Sequence, residues 1–201
     1  NAPEQSLEDA QDAKNRQLAR LLDLKPGHEV LEIGCGWGGF AVMAARDYGC
    51  RVTAITLSRE QQDYARKRLR EAGLSDRVDV RLQDYRDATG TYDRIASIEM
   101  LEAVGEAFWS TYFDTVRDRL KPSGIAGLQV ITIEDSRFEQ YRGGTDFIQR
   151  HIFPGGMLPS PSALAGTIDR AGLTLSDVFA FGPSYAETLA AWQRRFQRAW
   201  P

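Results

Sequence analysis

The chain has 201 residues, 42% of them hydrophobic, enough for one α/β domain with a sizeable core, so a single domain over 1–201 is expected. Its 28 acidic and 25 basic residues nearly cancel, which argues against nucleic acid as a partner, since that grip needs a clustered basic excess. No apolar run approaches the roughly 20 residues of a membrane span, and the opening stretch NAPEQSLEDAQDAKNRQ lacks the charged-then-apolar plan of a signal peptide; a cytoplasmic protein is expected, with peripheral contact at the inner membrane face left open.

Ser6 is a candidate N-cap for a first helix carrying Leu7, Ala10, Leu18, Leu21 and Leu22. HEVLEIG then reads as a buried parallel strand, followed by a glycine turn and a helix through AVMAARDYG that ends at Gly49. RVTAITL is a second strand, and Ser58 caps the polar helix SREQQDYARKRLREAG. The alternation continues through VDVRLQD, YDRIASI, a helix around FWSTYFDTVRDRL, a KPSG turn and the strand IAGLQVITI. It predicts a doubly wound, mainly parallel sheet with helices on both faces, a Rossmann-like α/β fold. Residues 134–160 form a long insert expected to lie over the substrate side like a lid. A capped helix from Ser162 to Ala171, a strand near LTLSDVFAF and an amphipathic tail, YAETLAAWQRRFQRAWP, complete the reading.

The turn EIGCGWGG, Glu32 to Gly39, follows the first strand and opens a helix, where such folds seat a ligand against the helix N-terminus. Its E-x-G-C-G-x-G spacing differs from that of dinucleotide folds and resembles the first motif of Rossmann-like methyltransferases, which implies S-adenosylmethionine. Glu32 is then expected to face the methionine amino group, with Gly34, Gly36 and Gly38 lining the sulfonium end, and Cys35 and Thr56 are also counted among the cofactor-binding residues. Cys35 and Cys50 are too few for a metal framework, no metal is expected, and their thiols read as structural. The second strand ends in Thr56, Leu57 and Ser58 without the usual ribose-binding acid, so Gln61, whose amide both donates and accepts, is the candidate ribose contact. Asp84 is placed at the adenine amino group; Tyr85 either packs on the adenine or is an ordinary half-buried aromatic.

With EIGCGWGGFA, AITLSREQ, YDRIASIEMLEAVG and IFPGGMLPS in order, the chain resembles the cyclopropane-fatty-acyl-phospholipid synthase family, which includes the mycolic acid cyclopropane enzymes. The resemblance covers almost the whole chain. It implies methyl transfer from S-adenosylmethionine to the double bond of an unsaturated fatty acyl chain, usually on a phospholipid, giving a cyclopropane or a methyl or methylene branch. The cofactor positions carried over are Gly34, Gly36, Leu57, Gln61, Asp84, Tyr85 and Ile98. The family's bicarbonate site carries over to Glu102, the Ile131 backbone and Tyr185, with Gln129 standing where better-known members have histidine. A cysteine-bearing segment and the family's last strand and final helices have no counterpart here, and the chain reads as a core fragment.

Within that picture, a carbocation formed by methyl transfer loses a proton to a base such as bicarbonate held by Glu102, Gln129 and Tyr185. Glu99 reads either as a partner that raises a carboxyl pKa or as a solvated or helix-end group. Phe138, Tyr141, Phe147, Ile148, Ile152, Phe153, Met157 and Leu158 either line an acyl tunnel or cover one sheet face. Arg137, Arg142 and Arg150 face phosphate head groups or solvent, and His151 reads as a surface or capping residue. Trp192, Phe196 and Trp200 form an apolar stripe that suits a core or a subunit contact, the latter a homodimer. A small-molecule amine methyltransferase and a non-catalytic cofactor-binding domain stay open as alternatives.

Overall fold

Val30, Leu31 and Ile33 have no exposed surface, the mark of a strand covered on both faces. They form β1 (Glu29–Ile33), the centre of a five-stranded sheet with β2 (Arg51–Thr56), β3 (Val78–Leu82), β4 (Tyr92–Ile98) and β5 (Leu120–Gln129). The computed structural model describes residues 5–200; the single domain expected over 1–201 extends beyond them at residues 1–4 and 201. The strand order is β3-β2-β1-β4-β5, and every pairing is parallel. The order reverses between β1 and β4, which opens a crevice outside their carboxyl ends.

Alternate strand residues enter two cores. Val30, Val52, Ala54 and Ala96 pack with α1 (Leu7–Leu21), α2 (Gly39–Tyr48) and α3 (Arg59–Glu71). Leu31, Ile33, Ile55 and Ile95 pack with Leu101 of α4 (Leu101–Val104) and with Trp109, Tyr112, Phe113 and Val116 of α5 (Trp109–Arg119). Helices thus cover both faces, as the alternation of elements predicts. Ser6 caps α1 through the Asp9 N–H and Ser58 caps α3 through the Gln61 N–H, so these helices begin where the sequence signals them.

α1 lies across β5 so closely that a Cβ on Gly127 would meet Leu18 Cδ1 at 2.7 Å and Leu22 Cδ2 at 3.0 Å. Glycine there lets the helix seat against the strand. The same α1 face brings Lys14 toward the carboxyl end of the sheet, since residues four apart share a face.

Four expectations need correction. The KPSG turn is absorbed into β5 as a register shift, with Leu120 opposite Tyr92 and Ile125 opposite Arg94. Pairing stops at Gln129, so Ile131 and Ile133 lie beyond the strand. Residues 134–160 carry α6 (Asp135–Arg142) and α7 (Phe147–His151), and the next helix, α8 (Pro161–Arg170), is capped by Ser160 rather than Ser162. Ser162 instead bonds Asp135, through its N–H at 3.1 Å and its hydroxyl at 2.9 Å. The strand expected at LTLSDVFAF does not form: Leu175, Val178 and Phe179 are exposed, and residues 173–181 lie in no ladder. Alternating apolar residues stabilise a strand only when a neighbour pairs with it. The tail forms α9 (Gly182–Ala199).

Candidate active site

Every expected site residue lies at or just beyond the carboxyl ends of the strands, or on α9. Gly34 begins the turn after β1 at φ +80°, and a Cβ there would come within 2.9 Å of Met100 Cγ. The Gly34 and Cys35 N–H groups both donate to the Ile55 carbonyl, at 3.0 and 2.9 Å, fixing the turn over β2. Gly36 and Gly38 carry the chain into α2, whose N-terminus has no side-chain cap and so presents N–H groups to the crevice.

Glu32 is 2% exposed, and its Oε2 has no hydrogen-bond partner. Burial pushes its carboxyl up to about 8, against the opposing effect of the Ala41 N–H. A buried carboxylate with a free oxygen beside a helix N-terminus suits a cationic ligand group. Cys35 is buried as well, and burial, with Glu32 nearby, pushes its thiol up to about 12; it is no nucleophile at neutral pH.

At the end of β2, the buried Thr56 hydroxyl donates to Gln61 Oε1 at 2.7 Å. That orients the Gln61 amide with its NH₂ left to donate. Leu57 beside it is 72% exposed. After β3, the Asp84 carboxylate is held by Arg86, through Nε at 2.9 Å, Nη2 at 2.6 Å and the backbone N–H at 2.9 Å. The Arg86 guanidinium keeps that carboxyl below its usual range. Tyr85 is buried, its ring 5.4 Å from that of Tyr112. Ile98 ends β4 opposite Gln129.

Beyond Ile98 a polar cluster forms. Glu99 adopts φ +50° and donates its N–H to the Gln129 carbonyl at 2.9 Å. Its carboxylate accepts from Gln129 Nε2 at 2.5 Å and from the Tyr185 hydroxyl of α9 at 3.2 Å. Glu102, in α4, accepts the Ile131 N–H on Oε1 at 2.5 Å, while its Oε2 is buried without a partner. Burial raises the Glu102 carboxyl, the Ile131 N–H lowers it, and the Glu99 charge raises it again. Burial and the Glu99 carboxylate push the Tyr185 phenol up to about 12. Lys14 is half-buried, its ammonium disfavoured by burial and favoured by Glu99.

Glu102, Gln129, Ile131 and Tyr185 are therefore brought together, but not around a shared anion. Gln129 and Tyr185 converge on Glu99, and the Ile131 N–H is spent on Glu102, so the donors expected for bicarbonate are engaged by protein carboxylates and the set does not fit that ion. Sequence reasoning missed Lys14 and left Glu99 undecided. The signal for Lys14 was its place four residues before Leu18 on the face that meets β5; Glu99 carried no local signal, because its partners come from β5 and α9.

The insert divides. Phe138 and Met157 are core residues, whereas Phe147, Ile148, Ile152 and Phe153 are exposed at and after α7. Arg142 pairs with Glu106 at 2.9 Å, and the His151 ring lies 4.9 Å from that of Phe147. The Met157 N–H donates to the Glu102 carbonyl at 2.8 Å, tying the FPGG turn to the polar cluster. A cavity of about 370 Å³ between α5, α6 and α8 and one of about 540 Å³ at the amino-terminal edge of the sheet both lie away from this cluster. Among the described residues no helix is long and apolar enough to cross a membrane.

Residues 1–201 match the family described as mycolic acid cyclopropane synthetase. The chain is 42% identical over 190 residues to the tuberculostearic acid methyltransferase UfaA1 of Mycobacterium tuberculosis, covering 92% of this chain and 44% of that protein. It is 41% identical over 196 residues to the cyclopropane-fatty-acyl-phospholipid synthase of Escherichia coli, covering 98% of this chain and 49% of that one. The chain thus spans about half the length of the curated relatives it matches. The crystal structure of mycolic acid cyclopropane synthase CmaA1 complexed with SAH and CTAB superposes with a TM-score of 0.90 at 28% identity, covering 98% of this chain and 72% of that one.

Proposed function

Because the chain belongs to the mycolic acid cyclopropane synthetase family, we propose that it is the core of an S-adenosylmethionine-dependent C-methyltransferase that alkylates the double bond of an unsaturated acyl chain, on a phospholipid or a fatty acid. The observation that carries the proposal is the polar cluster of Glu99, Glu102, Gln129 and Tyr185 beside the crevice between β1 and β4, with buried Glu32 on the crevice's other wall. The lipid substrates named for the relatives support the choice of acyl chain.

When bound, S-adenosylmethionine supplies an electrophilic methyl group on a sulfonium. Glu32, with its unpaired oxygen, would receive the cofactor's ammonium, the glycine turn would admit the methionine end, Gln61 would donate to a ribose oxygen, and Leu57, Asp84 and Ile98 would border the rest. An alkene is a weak nucleophile, so these residues act first by fixing the methyl in line with the double bond in a water-poor site. The alkene π pair would form the new C–C bond as the methyl–sulfur bond breaks, that bond's electron pair staying on sulfur to leave a neutral thioether, and the adjacent carbon would become cationic. The buried Glu102 carboxylate would stabilise that charge, since a carboxylate in low dielectric acts strongly on a cation that develops nearby. Exposed Phe147, Ile148, Ile152 and Phe153, with Arg150 beside them, give the insert an apolar rim suited to an acyl chain entering from a membrane surface.

The test is incubation of the full-length protein with methyl-labelled S-adenosylmethionine and vesicles of mono-unsaturated phospholipid, followed by mass analysis of the acyl chains. A gain of one CH₂ that resists hydrogenation identifies a cyclopropane, and a gain that takes up hydrogen identifies a methylene branch. Cofactor binding without labelled product on any unsaturated lipid would sink the proposal and favour a binding module; labelled product on small amines would move the substrate class.

A further inference from the structure

The resemblance calls for a bicarbonate ion at the centre of the catalytic ring, and the structure puts a side chain there instead. Glu99 accepts from both Gln129 and Tyr185, two of the groups that would otherwise bind the ion. The third, the Ile131 N–H, is taken by Glu102. Glu99 reaches this position because its backbone turns into the left-handed region at φ +50° immediately after β4, a conformation that costs a non-glycine residue energy and needs a surrounding reason to persist. Here the reason is visible: the Gln129 carbonyl takes the Glu99 N–H while the Gln129 amide takes its carboxylate.

We propose that Glu99 is the base of this site, its carboxylate standing in for bicarbonate and accepting the proton that the alkylated acyl chain must lose. The assignment rests on the acyl-alkylation reading above. The charged and titratable groups facing Glu99 are Lys14 from α1, Glu102 from α4 and Tyr185 from α9. Glu99 favours the charged form of Lys14, and Tyr185, held as a neutral phenol, donates its hydroxyl to the Glu99 carboxylate. In the step itself, the cation flanking the new C–CH₃ bond is quenched when a C–H bond of the added methyl breaks. Its electron pair forms the third C–C bond of a cyclopropane, and the proton passes to Glu99. If a hydride first shifts from the methylated carbon to the cationic one, the same C–H pair becomes the C=C bond of a methylene branch, and the proton again ends on Glu99. Either balance closes without another reactant.

Glu99→Gly tests the assignment, because glycine adopts φ +50° freely and the substitution leaves the ring of donors open to a small anion. In buffer stripped of carbon dioxide, the full-length wild-type protein is expected to alkylate unsaturated phospholipid at its ordinary rate. Glu99→Gly is expected to lose on the order of 100-fold in kcat, the size of a general-base contribution, with S-adenosylmethionine affinity unchanged, and to recover part of it on addition of bicarbonate or formate. A wild-type rate that falls on stripping and returns with bicarbonate overturns the assignment, as does an undiminished Glu99→Gly rate in stripped buffer. Independently of turnover, isotopically labelled bicarbonate followed by NMR is expected to bind Glu99→Gly and not the wild type; saturable binding to the wild type overturns the assignment. A wild type that alkylates no lipid sinks the acyl reading, and the bicarbonate titration then still decides whether Glu99 fills the anion position.

Discussion

Glu32 and Glu102 each have a carboxylate oxygen that is buried and unpartnered, and they lead to different experiments. The Glu32 carboxyl rises from 4.5 to about 8 on folding because burial disfavours its charge. Between those values the folded chain keeps a proton that the unfolded chain releases. Its contribution to stability is therefore complete below about pH 4.5 and is lost as pH rises toward about 8, at about 1.4 kcal/mol per pH unit. Thermal melts across that window are expected to fall with pH in the wild type and to flatten by one proton's worth in Glu32→Gln; parallel curves would mean that Glu32 is solvated. Glu102→Gln keeps an acceptor for the Ile131 N–H and removes the charge. Turnover should drop about 100-fold, as when one preorganised electrostatic partner is lost, while cofactor affinity measured by calorimetry stays nearly constant. Equal loss of both would move Glu102 into the cofactor site.

At the scale of elements, the packing of α1 on β5 joins stability to the site, since the face that buries Leu18 and Leu22 also carries Lys14. Gly127→Ala would put a methyl 2.7 Å from Leu18 Cδ1, and overpacking of this kind costs about 1–3 kcal/mol. For a chain of this size a lower melting temperature is expected, by about 2–4 °C per kcal/mol, together with lower turnover as Lys14 is displaced. An unchanged melt with unchanged kinetics would show that the helix is free to shift. The same contact explains what the sequence could and could not tell. β1, β2, α1 and α3 were readable because their signals are local: a short apolar run, a serine cap three residues before its bonded N–H, a closing glycine. The absorption of KPSG into β5, the end of pairing at Gln129 and the unpaired stretch at 173–181 depend on which strand lies alongside, and periodicity carries no information about that. The polar cluster fell between these cases. Glu102, Gln129, Ile131 and Tyr185 were named by resemblance, but the pairing of Gln129 and Tyr185 with Glu99 arises from three elements meeting in space.

For the whole molecule, the two cores are closed by helices on each side of the sheet, whereas α9 presents apolar surface outward. Trp192, Phe196 and Trp200 are 45%, 62% and 68% exposed, and Val178 and Phe179 are exposed on the segment leading into the helix. Contiguous apolar surface of this kind marks an interaction face more often than a solvated one. The Arg195–Glu8 pair at 2.9 Å ties α9 to α1, but both groups are solvent-exposed, and such pairs contribute little; the Tyr185 bond to Glu99 and the buried Thr188 hold the helix more firmly. Substitutions on the outer stripe should therefore alter association without unseating the helix. The chain is expected to self-associate with rising concentration in sedimentation velocity, and Phe196→Lys to shift it toward monomer with an unchanged far-ultraviolet spectrum and melting temperature. A wild type that sediments as a monomer at every concentration, with no binding of an apolar dye that Phe196→Lys would lose, would show that the stripe is merely solvated and that α9 serves the site through Tyr185 alone.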